Sequence, residues 1–162
     1  MPPITALFAQ YQHDCLTIFA DSIRECHRLG ASKWGLTVRS PNHFRLCLGS
    51  LIVATLEQGC TWFAIAPPSP SEQARLDSLP NWSSTRSGYK HPPSFSGYYW
   101  PMNTHPDLWP FLQKLHFRYL GQVAHTYRRL RLSSQRVHSD LTLAELESTL
   151  SLTLPRPDYR LP

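Results

Sequence analysis

From Ile4 to Cys26 apolar side chains return every three or four residues, at Ile4, Phe8, Tyr11, Cys15, Phe19, Ile23 and Cys26, and Gly30 follows. At about 100° per residue these positions form one stripe along a helix, and a glycine just beyond it is suited to a left-handed C-cap. The pattern predicts an amphipathic helix over residues 4–29. A stripe that long must be covered by something of comparable length, so the rest of the chain has to supply a surface for it.

The next segment has the other period. Trp34, Leu36 and Val38 alternate with Gly35 and Thr37, Ser40-Pro41-Asn42 carries turn chemistry, and Phe44, Leu46 and Leu48 alternate with Arg45 and Cys47. That is the signature of a hairpin. Gly49-Ser50 interrupts it, Leu51 to Leu56 resumes it, Glu57-Gln58-Gly59 makes a second turn, and Cys60 to Ala66 is rich in aromatic and β-branched residues. Four short antiparallel strands are expected after the first helix.

Residues 67–106 change character, with eight of the chain's fifteen prolines, many serines, and the aromatic cluster Phe95, Tyr98, Tyr99 and Trp100. A long loop is expected, with a helical turn or two over Glu72 to Leu79 and an edge strand over Ser96 to Trp100 that Pro101 ends. Asp107 is a suitable N-cap for a long helix to about Leu132, with Pro110 tolerable in its first turn. On that helix Leu108, Leu112, Leu115, Tyr119, Val123 and Leu130 share one face, and Lys114, Arg118, His125, Arg128 and Arg129 share another roughly 130° away. Thr142 and Glu145 have capping-box spacing ahead of Leu143, Leu146 and Leu150, which predicts a short closing helix. The expected class is α+β: a long N-terminal helix, a small antiparallel sheet of four to five short strands, a long aromatic-rich loop, a long C-terminal helix and a short closing helix. Residues 1–154 would form one domain, and 155–162, with two prolines early in the segment, an extended tail or connector.

At 162 residues the chain is long enough to bury a core without staples. Its longest apolar run, Leu46 to Leu56, is far short of the roughly 20 residues that span a bilayer, and Met1-Pro2-Pro3-Ile4 does not start a secretory signal. No membrane association and a cytoplasmic location are therefore expected. Cys15, Cys26, Cys47 and Cys60 lack C-x-x-C spacing and are expected as buried thiols, with neither disulfide nor zinc.

The net charge of +5 is unevenly spread. Residues 71–136 hold nine Lys/Arg against three Asp/Glu, whereas residues 1–70 hold five against four and residues 137–162 two against four. Such a field favours a polyanion. No acidic residue interrupts the predicted basic helix face, so Lys114, Arg118, His125, Arg128 and Arg129 form a candidate phosphate-contacting stripe, although a solvated helix face also carries Lys and Arg as a matter of course. Tyr98, Tyr99 and Trp100, with Arg86 and Lys90 nearby in sequence, have the interleaving of rings and cations that stacks on exposed bases; packing against the sheet would account for the same rings.

The eight histidines show no metal-ligand spacing, and no general acid–base couple, nucleophile elbow or phosphate-cradling glycine loop is present. No cofactor and no catalytic residue are expected. His116 and His125, nine residues apart, fall on different sides of the long helix and require separate explanations.

In Phe44-Arg45-Leu46-Cys47-Leu48-Gly49, Trp109-Pro110, Leu115-His116-Phe117, His138-Ser139 and Leu154-Pro155-Arg156-Pro157-Asp158-Tyr159 the chain resembles the region preceding the nuclease domain of bacterial HNH-endonuclease-type proteins. That resemblance covers about the last two-thirds of the sequence. It implies a DNA-recognition module linked to a restriction or defence system and acting with a nuclease partner. No His-Asn-His motif occurs, so no catalytic residue carries over. The expectation is thus a nucleic-acid-binding module, DNA foremost. An assembly subunit binding an acidic protein and a small enzyme without a recognisable motif are the alternatives.

Overall fold

The computed structural model describes residues 4–40, 43–57, 60–78, 96–101, 108–127, 129 and 131–153. Helix α1, Ile4–Arg28, is the central element. Tyr11, Cys15, Phe19, Ile23 and Cys26 are buried as the stripe requires, but so are Leu16, Ile18 and Ala20, and with them His13, Thr17, Asp21 and Ser22. The helix is enclosed on more sides than one stripe predicts. Its polar positions tolerate this because they are satisfied locally or by neighbouring helices. Thr17 and Ser22 donate to carbonyls four residues back, at 2.8 and 2.7 Å, and Asp21 accepts from Arg24 and Gln113. Gly30, at φ 78°, ends the helix.

Five antiparallel strands follow in a meander: β1 Trp34–Ser40, β2 His43–Leu48, β3 Leu51–Glu57, β4 Cys60–Ile65 and β5 Ser96–Pro101, in the order β1-β2-β3-β4-β5. The fold is α+β, as the sequence predicts. Leu36, Phe44, Leu46, Leu48, Ala54, Leu56 and Phe63 are buried. The sheet meets α1 where Phe63 stands edge-on to Phe19 with ring centroids 5.5 Å apart, and where the Tyr11 hydroxyl donates to Thr61 Oγ1 at 2.7 Å.

Helix α2, Pro70–Asp77, begins two residues ahead of the predicted turn. Ser69 caps it and Glu72 reaches back to the Ser69 amide at 2.9 Å, a capping box in which Glu72 is the third helical residue rather than the first. Helix α3, Trp109–His125, buries Leu112, Leu115, Tyr119 and Val123, the face its spacing predicts. Its proposed cap Asp107 lies outside the described residues.

Helix α3 also stops well before Leu132, and the reason is packing. Nine residues beyond Val123, Leu132 would lie roughly 180° from it on a continued helix and so face solvent. The chain turns instead. Leu132 N–H donates to Tyr127 O at 3.1 Å, Arg131 adopts a left-handed φ of 56°, and Leu132 is buried at the start of a 3₁₀ turn, Leu132–Ser134. The following residues close the edge of β1: Leu36 N–H donates to Ser139 Oγ at 2.9 Å and Val38 N–H to Asp140 Oδ2 at 2.7 Å, while Asp140 N–H returns to Leu36 O at 2.8 Å. An edge strand whose amides are occupied in this way does not offer itself to another chain. Helix α4, Leu143–Thr153, starts at the predicted Thr142/Glu145 capping box and packs against α1, where His13 Nε2 donates to Leu150 O at 3.2 Å. The tail predicted over 155–162 lies outside the described residues.

No helix among the described residues is long and apolar enough to cross a membrane. Cys15 and Cys26 are buried thiols, and burial pushes the Cys26 thiol up to about 12, which makes it inert as a nucleophile.

Candidate functional site

The predicted basic stripe does not exist as one helix face. Lys114 and His125 are exposed on α3. Arg118 is engaged by an acid from another element: Nη1 and Nη2 donate to Glu72 Oε1 and Oε2 at 2.7 and 2.8 Å. The fork-to-fork pair neutralises that cation, holding the Glu72 carboxyl at about 2 and raising the Arg118 guanidinium further. Because α3 ends at His125, Arg129 is not on the helix at all, and Arg128 lies outside the described residues. Arg86 and Lys90 also lie outside them. Tyr98, Tyr99 and Trp100 fall in β5, paired in register with Phe63, Trp62 and Thr61.

A different basic surface emerges where the spacing predicts more helix. The sequence has no acidic residue between Asp107 and Asp140, and the part of that run beyond α3 carries Arg129, Arg131 and Arg136, all exposed and without an ion pair among the described residues. Exposed Lys33 joins them, because its amide donates to the Tyr127 hydroxyl at 3.0 Å. That bond and two glycines hold the turn against the sheet. Leu132 and Gln135 occupy the space that a side chain on Gly49 would need, and the His138 carbonyl and Val137 occupy that of Gly35. The first acid after the run, Asp140, is spent on the Val38 amide and on His138, whose Nε2 lies 2.7 Å from Oδ1. The result is a turn pinned to the sheet that presents cations with no carboxylate partner among the described residues.

The two helix histidines differ as their spacing suggests. His125 is exposed, whereas His116 is fully buried beside Phe63 and Tyr119. His116 Nδ1–H donates to Ala64 O at 2.7 Å, and burial lowers the imidazole to about 4, so it is a neutral packing residue. Among the described residues no group of three His, Cys, Asp or Glu side chains is placed to hold a metal ion.

Helical angle alone assigns the cationic run to one face of a helix and passes over Arg136. The signal that identifies Arg136 is the length of the acid-free run. No protein-family model, curated protein or solved structure matches this chain.

Proposed function

We propose that the chain is a nucleic-acid-binding module whose contact surface is the basic turn carrying Arg129, Arg131 and Arg136, with Lys33 beside it and Lys114 on the exposed side of α3. One observation carries this reading: these cations are presented by a turn pinned to the sheet, with no carboxylate among the described residues paired to any of them. Cations on a rigid support and free of internal partners suit a polyanion with regularly spaced charges, since little order is lost on contact. DNA is the first choice of polyanion. That choice, like a place beside a nuclease in a restriction or defence system, rests on the sequence resemblance.

The test is binding to short DNA and RNA duplexes and single strands across a salt series. Three arginines that neutralise one phosphate each give a log–log slope of about −3, and Lys33 and Lys114 would steepen it. Absence of binding at low salt, or affinity indifferent to salt, rejects the proposal and favours an acidic protein partner.

A further inference from the structure

The segment that leaves the basic turn carries an imidazole held by a carboxylate. His138 Nε2 lies 2.7 Å from Asp140 Oδ1. Asp140 is itself fixed on β1: its other oxygen accepts from the Val38 amide at 2.7 Å, and its own amide donates to Leu36 O at 2.8 Å. The Val38 amide, and after it His138, hold the Asp140 carboxyl below the ordinary carboxylate range, so it is ionised and only accepts. In the neutral ring His138 Nε2 therefore carries the proton, and the lone pair sits on Nδ1. That side chain is 76% exposed, and Nδ1 has no partner among the described residues. Ser139 is not available as a nucleophile, because its hydroxyl accepts from the Leu36 amide and donates to Leu141 O at 2.6 Å.

A free cation stands beside this imidazole. Gln135 leaves the 3₁₀ turn with an extended ψ of 146°, and exposure alternates beyond it, with Gln135 and Val137 partly buried and Arg136 and His138 exposed. Val137 is the side chain turned to Gly35. Residues two apart in an extended segment point the same way with Cα atoms about 6–7 Å apart, so Arg136 and His138 share the outward side. Arg136 makes no ion pair among the described residues.

We propose that His138 and Arg136 form a catalytic site that cleaves single-stranded RNA by transesterification, with Asp140 as its positioning residue. This activity rests on the nucleic-acid reading of the basic turn, with RNA as the strand that reacts. RNA brings its own nucleophile, since the 2′-hydroxyl is already next to the phosphorus and no water has to be ordered. His138 Nδ1 takes the hydroxyl proton as the 2′-oxygen bonds to phosphorus, and Asp140 stabilises the imidazolium that forms. Arg136 donates to the non-bridging oxygens, where negative charge accumulates. The bond from phosphorus to the 5′-oxygen breaks, that oxygen leaves with the electron pair and takes a proton from water, and the imidazolium returns its proton to solvent. The products are a 2′,3′-cyclic phosphate and a 5′-hydroxyl. DNA lacks the attacking hydroxyl, so it binds the turn and stays intact.

The experiment gives the full chain a labelled single-stranded RNA, the same sequence as DNA, and the same sequence as 2′-O-methyl RNA, at low salt with EDTA present. Anisotropy reads binding, and mass spectrometry of the fragments reads the ends. All three strands should bind, and only the RNA should be cut, with cyclic phosphate ends. His138→Gln, which still donates to Asp140, should lower kcat by about 10²-fold or more and leave affinity for the 2′-O-methyl strand unchanged. Asp140→Asn keeps an acceptor for the Val38 amide and should lower kcat by a smaller factor with KM unchanged. Arg136→Ala should lower both cleavage and affinity. RNA that binds and is not cut, DNA cut as readily as RNA, or cleavage unchanged in His138→Gln overturns the activity and leaves the binding surface standing. If none of the strands binds, the nucleic-acid reading fails as well.

Discussion

Arg118 of α3 grips the Glu72 carboxylate of α2 with two parallel hydrogen bonds of 2.7 and 2.8 Å. Glu72 also accepts from the Ser69 amide, so one carboxylate caps α2 and docks it on α3. Arg118 is thereby withdrawn from the cations available to a ligand. Arg118→Ala should leave the salt slope of nucleic-acid binding unchanged. Glu72→Gln keeps a capping side chain but frees the guanidinium, and should steepen the slope by up to about one unit while costing less than about 1 kcal/mol of stability. The carboxyl is held at about 2, below its ordinary 4.5, chiefly by the Arg118 hydrogen bonds. Its stabilisation is therefore complete above pH 4.5 and fades as the pH falls towards 2, which a urea midpoint series in acid would read as a difference between wild type and Glu72→Gln.

His116 works in the opposite sense. Buried neutral at about 4 against an ordinary 6.5, it resists a proton that the unfolded chain accepts readily. Between those values the unfolded state holds more protons, so stability falls as the pH is lowered from 6.5 and the penalty is complete near pH 4. Its full size is about 3 kcal/mol. His116→Gln retains an N–H donor for Ala64 and does not titrate. Chemical denaturation of both proteins across this window should give a steeper pH dependence in wild type, and parallel curves would show that His116 is not the group responsible.

Gly35 is required by what passes over it. A Cβ there would collide with the His138 carbonyl and Val137, both part of the segment that occupies the β1 edge. Gly35→Ala should displace that segment, expose the Leu36 and Val38 amides, and destabilise the fold by about 2 kcal/mol or more. Amide hydrogen exchange is the direct reading, with faster exchange at Leu36 and Val38 than in the middle of α1.

Local pattern is enough for much of this fold. The spacing of Tyr11, Cys15, Phe19 and Ile23, the alternation of Phe44, Leu46 and Leu48, the Leu112 to Val123 face and the Thr142/Glu145 box each express a preference that tertiary packing reinforces. The end of α3 is another matter. Leu130 continues the apolar rhythm of the helix face, and nothing near it in sequence shows that the Tyr127 hydroxyl will bind the Lys33 amide 94 positions away. Glu72 and Arg118 are 46 residues apart, so the neutralisation of the supposed stripe is equally invisible.

Arg131 allows the basic turn to be tested without confusing binding with folding. It is the one non-glycine among the described residues with positive φ, at 56°, where a side chain costs about 1–2 kcal/mol that glycine avoids. Its side chain is exposed and makes no ion pair among the described residues, so Arg131→Gly removes one cation and relieves strain together. Glycine also loosens the unfolded chain, and the expected net gain in stability is about 0.5–1 kcal/mol. A thermal melt should therefore move up, whereas nucleic-acid affinity at low salt should fall and the salt slope should become shallower by about one unit. Arg129→Ala and Arg136→Ala should shift the slope similarly with little change in melting. Removing a cation that meets only phosphate weakens binding on all sequences alike, so sequence preference should survive each substitution. If Arg131→Gly melts higher and binds as wild type does, the turn is a solvated corner of the fold, and the nucleic-acid reading of it must be abandoned.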